Sequence, residues 1–337
     1  MMRPHRTLAA LWLCTACALA APALAEPSTL RIGVQFGVGY LPVYVAQADD
    51  LVNQHLIAKG LKPIEIMIQN VAGAPQITDG LLSGTMDIGC GGISAMIVAW
   101  DKTKAAGGQA MKGMVALSSM PYELFTVDET VRSLADLSDK NKIGLPAIKV
   151  SIPAIFLQMA AARLYGQANY QRLDPLTVSF AQPDGAIALL SGGGAVDSYV
   201  FAPPFSDQVR DKPKIHRVWS SSELAGSITS LSMWTTARFR QDDPVTYAAV
   251  IDAVRDAVAV IRRAPRHAAE IFIKAENSKL PVEFVTAVLG HADLEFGIAP
   301  QNSLLLAQFL AQTGVVKSSP ADWKDYFFPD IHAEPGG

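Results

Sequence analysis

The segment RIGVQFGVGYLPVYVAQ, starting at Arg31, and the segment KIGLPAIKVSIPAIFLQ, starting at Lys142, are written to one plan 111 residues apart. Each opens on a basic residue followed by Ile and Gly, places a proline at the same point (Pro42, Pro153) and closes on glutamine (Gln47, Gln158). In each, strand-forming residues ("LRIGVQF", "NKIGLPA") run through a short loop into a helical pattern, VYVAQADDL or AIFLQMAAARLYG. The proline marks the helix start, because a first-turn N–H has no partner inside the helix and its loss costs little. Each copy is therefore a strand, a loop and a helix whose N-terminus faces the loop. Such a terminus offers unpaired N–H groups and a partial positive charge, which suit an anion or a polar acceptor.

A second pair of segments keeps nearly the same spacing. "APQITDGLLSGTMDIGCGG" corresponds to "QPDGAIALLSGGGAVDSYV": LLSG recurs at Leu81 and Leu189, 108 apart, and an aspartate opens a strand at Asp87 and at Asp197, 110 apart. Two pairs in register predict two α/β lobes of like topology. Their short connections between alternating strands and helices imply parallel sheets, with ligands beyond the C-terminal ends of the strands.

The chain crosses between lobes twice. "GMVALSSMPYELFTV" is strand-like on both sides of a break at Met120 and Pro121, and "RVWSSSELAGSITSLSMWTT", from Arg217 to Thr236, is the return. After Thr236 the pattern turns helical. Asp243 is an N-cap with Pro244 in the first turn, and Tyr247, Ile251, Val254, Val258 and Ile261 form a core stripe. Further helices follow Pro281 and Asn302 and complete the first lobe.

Residues 1–25 read as a removable signal peptide, with a retained membrane anchor and lipid anchoring at Cys17 as the alternatives. Arg3, His5 and Arg6 form a polar head, Thr7 to Ala20 an uncharged centre, and Ala23-Leu24-Ala25 the small residues of a cleavage site. Without this segment the formal charge goes from −3 to −5, since Lys+Arg falls from 28 to 26 against 31 acids. An acidic chain without a long basic run argues against nucleic acid and anionic membrane as partners. Cys14 and Cys17 leave with the signal, so Cys90 stands alone and no intramolecular disulfide forms.

The opening "RIGVQFGVGYLPVYVAQADDL", the block "GAPQITDGLLSGTMDIGCGG", "VDSYVFAPPFSDQ" and the closing "ADWKDYFFPD" resemble periplasmic substrate-binding proteins of ABC importers. The resemblance is to the branch that serves nitrate, taurine and aliphatic sulfonates, with pyrimidine-precursor binders as relatives. It implies a two-lobed periplasmic binding protein fold of type II-like α/β architecture, with a two-segment hinge and a cleft between the lobes. On this reading residues 26–120 and 225–337 form lobe I, and 121–224 form lobe II. The lobes close on a small-molecule ligand, and the closed form is handed to a membrane permease with its ATPase. A monomer without cofactor or metal, working in the periplasm, is expected.

Candidate ligand residues lie in the loops before the helices. In lobe I, Gln35, Gly37, Gly39 and Tyr40 stand between strand and helix, where Gly admits close backbone approach and Tyr40 stacks on or bonds a ligand; the alternative is a tight turn that Tyr40 covers. "GAPQ", from Gly73 to Gln76, matches the family's second ligand loop. In "CGGIS", Gly91, Gly92 and Ser94 can present N–H groups and a hydroxyl, while Cys90 reads as a small buried residue and not a nucleophile. In lobe II, Lys149 and Ser151 precede the Pro153 helix and favour an anion, unless Lys149 is a solvated rim residue. Asp184 favours an amine, and with Lys149 it would suit a zwitterion. Where relatives often carry an acid in "VDA…EP", this chain has Ala202 before Pro203 and Pro204, and Phe201 and Phe205 either make the pocket more apolar or pack the hinge.

Enzymatic alternatives find little support in the motifs. A pyrimidine-synthesising branch with a similar fold is marked by a cysteine-rich motif, and here only "GCGG" stands in its place. His55, His216, His267, His291 and His332 are scattered, and no nucleophile elbow, Walker loop or zinc spacing occurs. An importer's binding protein is the expected function; an enzyme of the same fold and a ligand-sensing receptor lobe are the alternatives.

Overall fold

The structure, a computed structural model, describes residues 29–337, so the segment read as a signal peptide lies outside the described residues. The first sheet grows outward from β1 (Thr29–Val34). After α1 (Leu41–Ala48) and α2 (Leu51–Ala58), β2 (Glu65–Asn70) lies parallel to β1 on one side; after α3 (Ala74–Ser83), β3 (Ile88–Gly92) lies parallel to it on the other. Helix α4 (Ile93–Thr103) leads to β4 (Met111–Ser119). The helical stretch VYVAQADDL is not continuous: Asp50 takes a left-handed φ of 55° between α1 and α2.

The second sheet repeats this plan. It holds β5 (Glu123–Thr126), β6 (Ile143–Leu145), β7 (Thr177–Ser179), β8 (Ser198–Phe201) and β9 (His216–Ser220), with α5 (Ile152–Tyr165), α6 (Gln182–Leu190), α7 (Phe205–Val209) and the short α8 (Ser222–Ala225) between or after them. Here β6 takes the place of β1, with β7 and β8 parallel on its two sides. Ile32 pairs with Ile88 in the first sheet as Ile143 pairs with Ser198 in the second.

On its return the chain forms β10 (Thr229–Thr236), inserted antiparallel between β3 and β4, just as β5 lies antiparallel between β8 and β9. Five helices and one short strand then finish the first lobe: α9 (Ala237–Asp242), α10 (Pro244–Arg263), α11 (Pro265–Ala275), α12 (Val282–Leu289), β11 (Glu295–Phe296) and α13 (Ser303–Gln312). The sheet orders are β11-β4-β10-β3-β1-β2 and β7-β6-β8-β5-β9. They agree strand for strand apart from the edge strand β11.

The α10 stripe is core, with Tyr247, Ile251, Val254, Val258 and Ile261 all buried against the first sheet's helices, each contributing about 1.5–3 kcal/mol of burial. Asp243 caps this helix by accepting from Thr246 N–H at 3.2 Å. Phe201 and Phe205 belong to a separate apolar cluster of the second lobe, where Phe201 stacks on Tyr199 at 4.3 Å. They therefore pack that lobe. Among the described residues no helix is long and apolar enough to cross a membrane.

Candidate functional site

The two lobes meet around a cavity of about 40 Å³ at the C-terminal edges of both sheets. Its walls are the starts of five helices. Tyr40 precedes α1, Ala72 and Ala74 stand at α3, Gly92 at α4, Ser151 at α5, and Ala181 and Gln182 at α6. Four of these helices carry proline in the first turn, at Pro42, Pro75, Pro153 and Pro183; the Gln76 side chain accepts from the N-cap amide of α3, and no side-chain acceptor caps the other four. Their partial positive ends thus converge on one point.

None of the fifteen lining residues is Lys, Arg, His, Asp or Glu, so the field in the cavity comes from backbone dipoles and neutral side chains. Two carboxamides there have fixed orientations. Gln182 Oε1 accepts from Ala202 N–H at 2.8 Å, and Gln35 Oε1 accepts from the Tyr40 hydroxyl at 3.2 Å. With each oxygen engaged, each amide NH₂ is left to donate. Phe36, Tyr122 and Leu231 supply the apolar remainder of the wall.

Of the residues expected at the site, Gln35, Tyr40, Gly92 and Ser151 line the cavity. Ser151 Oγ donates to Ala147 O at 2.6 Å, which leaves its lone pairs open. Gly39 sits behind Tyr40, and an added Cβ would fall 2.2 Å from Met120 Cε, 2.5 Å from Leu231 Cδ1 and 2.8 Å from Ser118 Oγ, so a larger residue there must displace those side chains. Gly73 begins α3 beside Pro146 O of the other lobe, and the Gln76 carboxamide bonds the Ala72 and Gly73 amides at 2.9 and 3.3 Å. Ser94 is buried and donates to Val150 O at 3.1 Å, which ties the lobes together.

Lys149 and Asp184 stand apart from this group. Both are exposed and neither lines the cavity; Lys149 adopts a left-handed φ of 65° in the loop before α5. Gln182, two residues before Asp184, lines it instead. The repeat holds a signal for this: Gln182-Pro183 stands 108 residues after Ala74-Pro75, the offset already seen for LLSG. Cys90 is free and buried, and burial pushes its thiol well above the usual range, against any nucleophilic role. Among the described residues no cluster of His, Cys, Asp or Glu has metal-holding geometry.

Behind the lobe I loop lies Glu276, at the C-terminal end of α11. Its Oε1 accepts from Gly37 N–H at 2.6 Å and from the Tyr44 hydroxyl at 3.2 Å. Burial raises this carboxyl from 4.5 to about 7, against the opposing pull of those two bonds.

The NMT1-like family profile matches residues 23–274. No curated protein sequence matches the chain. Among solved structures, the alkanesulfonate-binding protein SsuA from Xanthomonas axonopodis pv. citri, bound to MOPS, has a TM-score of 0.66 at 17% identity, over 88% of this chain and 96% of that one. The periplasmic aliphatic sulphonate binding protein SsuA from Escherichia coli has a TM-score of 0.63 at 17% identity, over 90% and 100%. The periplasmic nitrate-binding protein NrtA from Synechocystis PCC 6803 has 0.66 at 14% identity, over 89% and 84%. At these identities the likeness speaks for the fold. The chain has the periplasmic binding protein fold, and by its sequence it belongs to the NMT1-like family.

Proposed function

We propose that this chain is an exported solute-binding protein that captures a small organic anion by lobe closure and delivers it to the permease of an ABC importer. The observation that carries this reading is the convergence of five helix N-termini, four of them without a side-chain cap, on an interlobe cavity lined by no Lys, Arg, His, Asp or Glu. Such a site offers donors and positive dipole ends and no carboxylate, so it stabilises an acceptor-rich anionic group. In the measure used for buried waters, a cavity of about 40 Å³ holds a group a few times the size of one water, such as a sulfonate head. A longer tail enters only with the lobes less tightly closed.

The zwitterion reading needed Lys149 and Asp184 at the ligand, and neither lines the cavity. An anion without an ammonium group therefore fits better than taurine. The fold neighbours named for alkanesulfonate and nitrate are consistent with an anionic ligand. In the proposed site Gln35, Tyr40, Ser151 and Gln182 contact the ligand, with the Gly92 and Ser151 helix ends beneath it.

The test is a thermal-shift screen of the purified chain against butane-1-sulfonate, taurine, nitrate, acetate and uracil, followed by mass spectrometry of what is bound. A ligand that binds the folded state raises the melting temperature by mass action. Stabilisation by butane-1-sulfonate or acetate, with the ligand recovered unchanged, supports the reading, and stabilisation by nitrate alone overturns its organic part. Stabilisation by uracil alone, or a ligand returned altered, overturns it in favour of the pyrimidine-precursor or the enzyme alternative.

A further inference from the structure

The lobe I ligand loop is held from outside the cavity. Gly37 has φ 126° and ψ 157°, a conformation open essentially only to glycine, and an added Cβ would face Pro203 O at 3.7 Å and Gln182 Nε2 at 3.9 Å on the other lobe. Its N–H meets Glu276 Oε1 at 2.6 Å. The Tyr44 hydroxyl lies 3.2 Å from the same oxygen, 3.4 Å from Gln35 O and 3.3 Å from Asn70 Oδ1. One carboxylate oxygen, 239 residues along the chain, thus anchors the amide that follows Phe36, and the one hydrogen of the Tyr44 hydroxyl has that oxygen as the nearest of its three acceptors. Gln35 and Phe36 line the cavity and Glu276 does not.

The placement of Glu276 is costly for stability alone. It sits where a helix ends, with the helix dipole unfavourable to an anion, and it is enclosed enough for its carboxyl to be shifted upward. Among the described residues no Lys or Arg pairs with it. The titratable groups that face it from the packed elements are Tyr44 on α1 and Tyr40 just before α1, and burial keeps both protonated. On its own helix, Lys274 and Glu270 are exposed, and the His267–Asp49 pair lies in the neighbouring groove.

We propose that Glu276 is a positioning residue for ligand capture: its Oε1 fixes the Gly37 amide directly and holds the Tyr44 hydroxyl beside it, and so presets the loop that carries Gln35 and Phe36. What matters is the acceptor oxygen, and the charge strengthens the bond without being required for the geometry. A glutamine keeps that oxygen and an alanine removes it.

The experiment compares Glu276→Gln, Glu276→Ala and Tyr44→Phe by hydrogen exchange of the segment from Gln35 to Tyr40 and by calorimetric titration with butane-1-sulfonate. In Glu276→Ala, exchange at this segment rises about tenfold and affinity falls about tenfold, the loss expected of one buried charge-assisted bond. Glu276→Gln stays close to the parent in both, and Tyr44→Phe lies between. Exchange unchanged in Glu276→Ala, or Glu276→Gln as impaired as Glu276→Ala, overturns the proposal. If Glu276→Ala does not fold, the Glu276→Gln and Tyr44→Phe arms decide: faster exchange in Tyr44→Phe with Glu276→Gln near the parent supports positioning, and any other pattern overturns it. The affinity arm rests on the solute-binding reading and the exchange arm does not. Failure of the parent chain to bind butane-1-sulfonate counts against the ligand class while the exchange data still judge Glu276.

Discussion

Lys142 donates its backbone N–H to Asp197 Oδ2 at 2.7 Å and accepts from Asp197 N–H at 3.2 Å. Arg31 does the same with Asp87, at 2.8 and 2.9 Å, and adds a two-point ion pair through its guanidinium at 2.9 and 2.7 Å. The same clasp joins β1 to β3 in one lobe and β6 to β8 in the other. The basic residue and the aspartate are thus two ends of one device built twice.

Removing the clasp should cost stability in proportion to its bonds. Asp87→Ala loses a backbone bond and the Arg31 pair and should lower unfolding free energy by about 2 kcal/mol; Asp197→Ala loses its backbone bond and the bond from the Ser198 hydroxyl at 2.6 Å but no ion pair, and should cost about 1 kcal/mol. Urea titration of both variants checks the order, and a larger loss at Asp197 would contradict it.

Cavity contacts should separate from rim residues in ligand affinity. Gln35→Ala and Gln182→Ala should each weaken butane-1-sulfonate binding about tenfold, since each removes an oriented donor to a charged acceptor. Lys149→Ala and Asp184→Ala should change it by less than about twofold, because exposed charges outside the cavity are screened. Titration calorimetry distinguishes the pairs; a large effect at Lys149 would mean that the ligand reaches the rim.

The raised Glu276 carboxyl makes a signed prediction for pH. The folded chain holds this proton up to about 7 and the unfolded chain only to about 4.5, so its stabilising contribution is complete at low pH and is lost as pH rises through about 7. Between about pH 5 and pH 8 the parent should lose about 1–3 kcal/mol relative to Glu276→Gln. Denaturation curves that shift in parallel for the two chains would refute this.

The hydrogen bond from Ser94 Oγ to Val150 O spans the lobes, and breaking it should favour opening. Ser94→Ala should weaken ligand binding about fivefold through faster dissociation, as expected for about 1 kcal/mol lost only in the closed form. Stopped-flow kinetics with a fluorescence reporter checks this; a change confined to the association rate would place the bond elsewhere in the cycle.

The fold was legible because its signals are local and repeated. Pro42 and Pro153 mark helix starts, Asp87 and Asp197 open strands, and the α10 stripe has helical spacing, each a consequence of backbone hydrogen bonding or of a side-chain period within a few residues. These features determined two like lobes and the loops that face each other. Only the tertiary structure decided which side chains in those loops reach the cavity. Lys149 is turned away by a left-handed backbone, Gln182 is aimed by the Ala202 amide, and Gly37 is held by a carboxylate 239 residues distant. A loop side chain takes its direction from φ and ψ and from what packs against it, and here the packing partners come from the other lobe or from the far end of the chain.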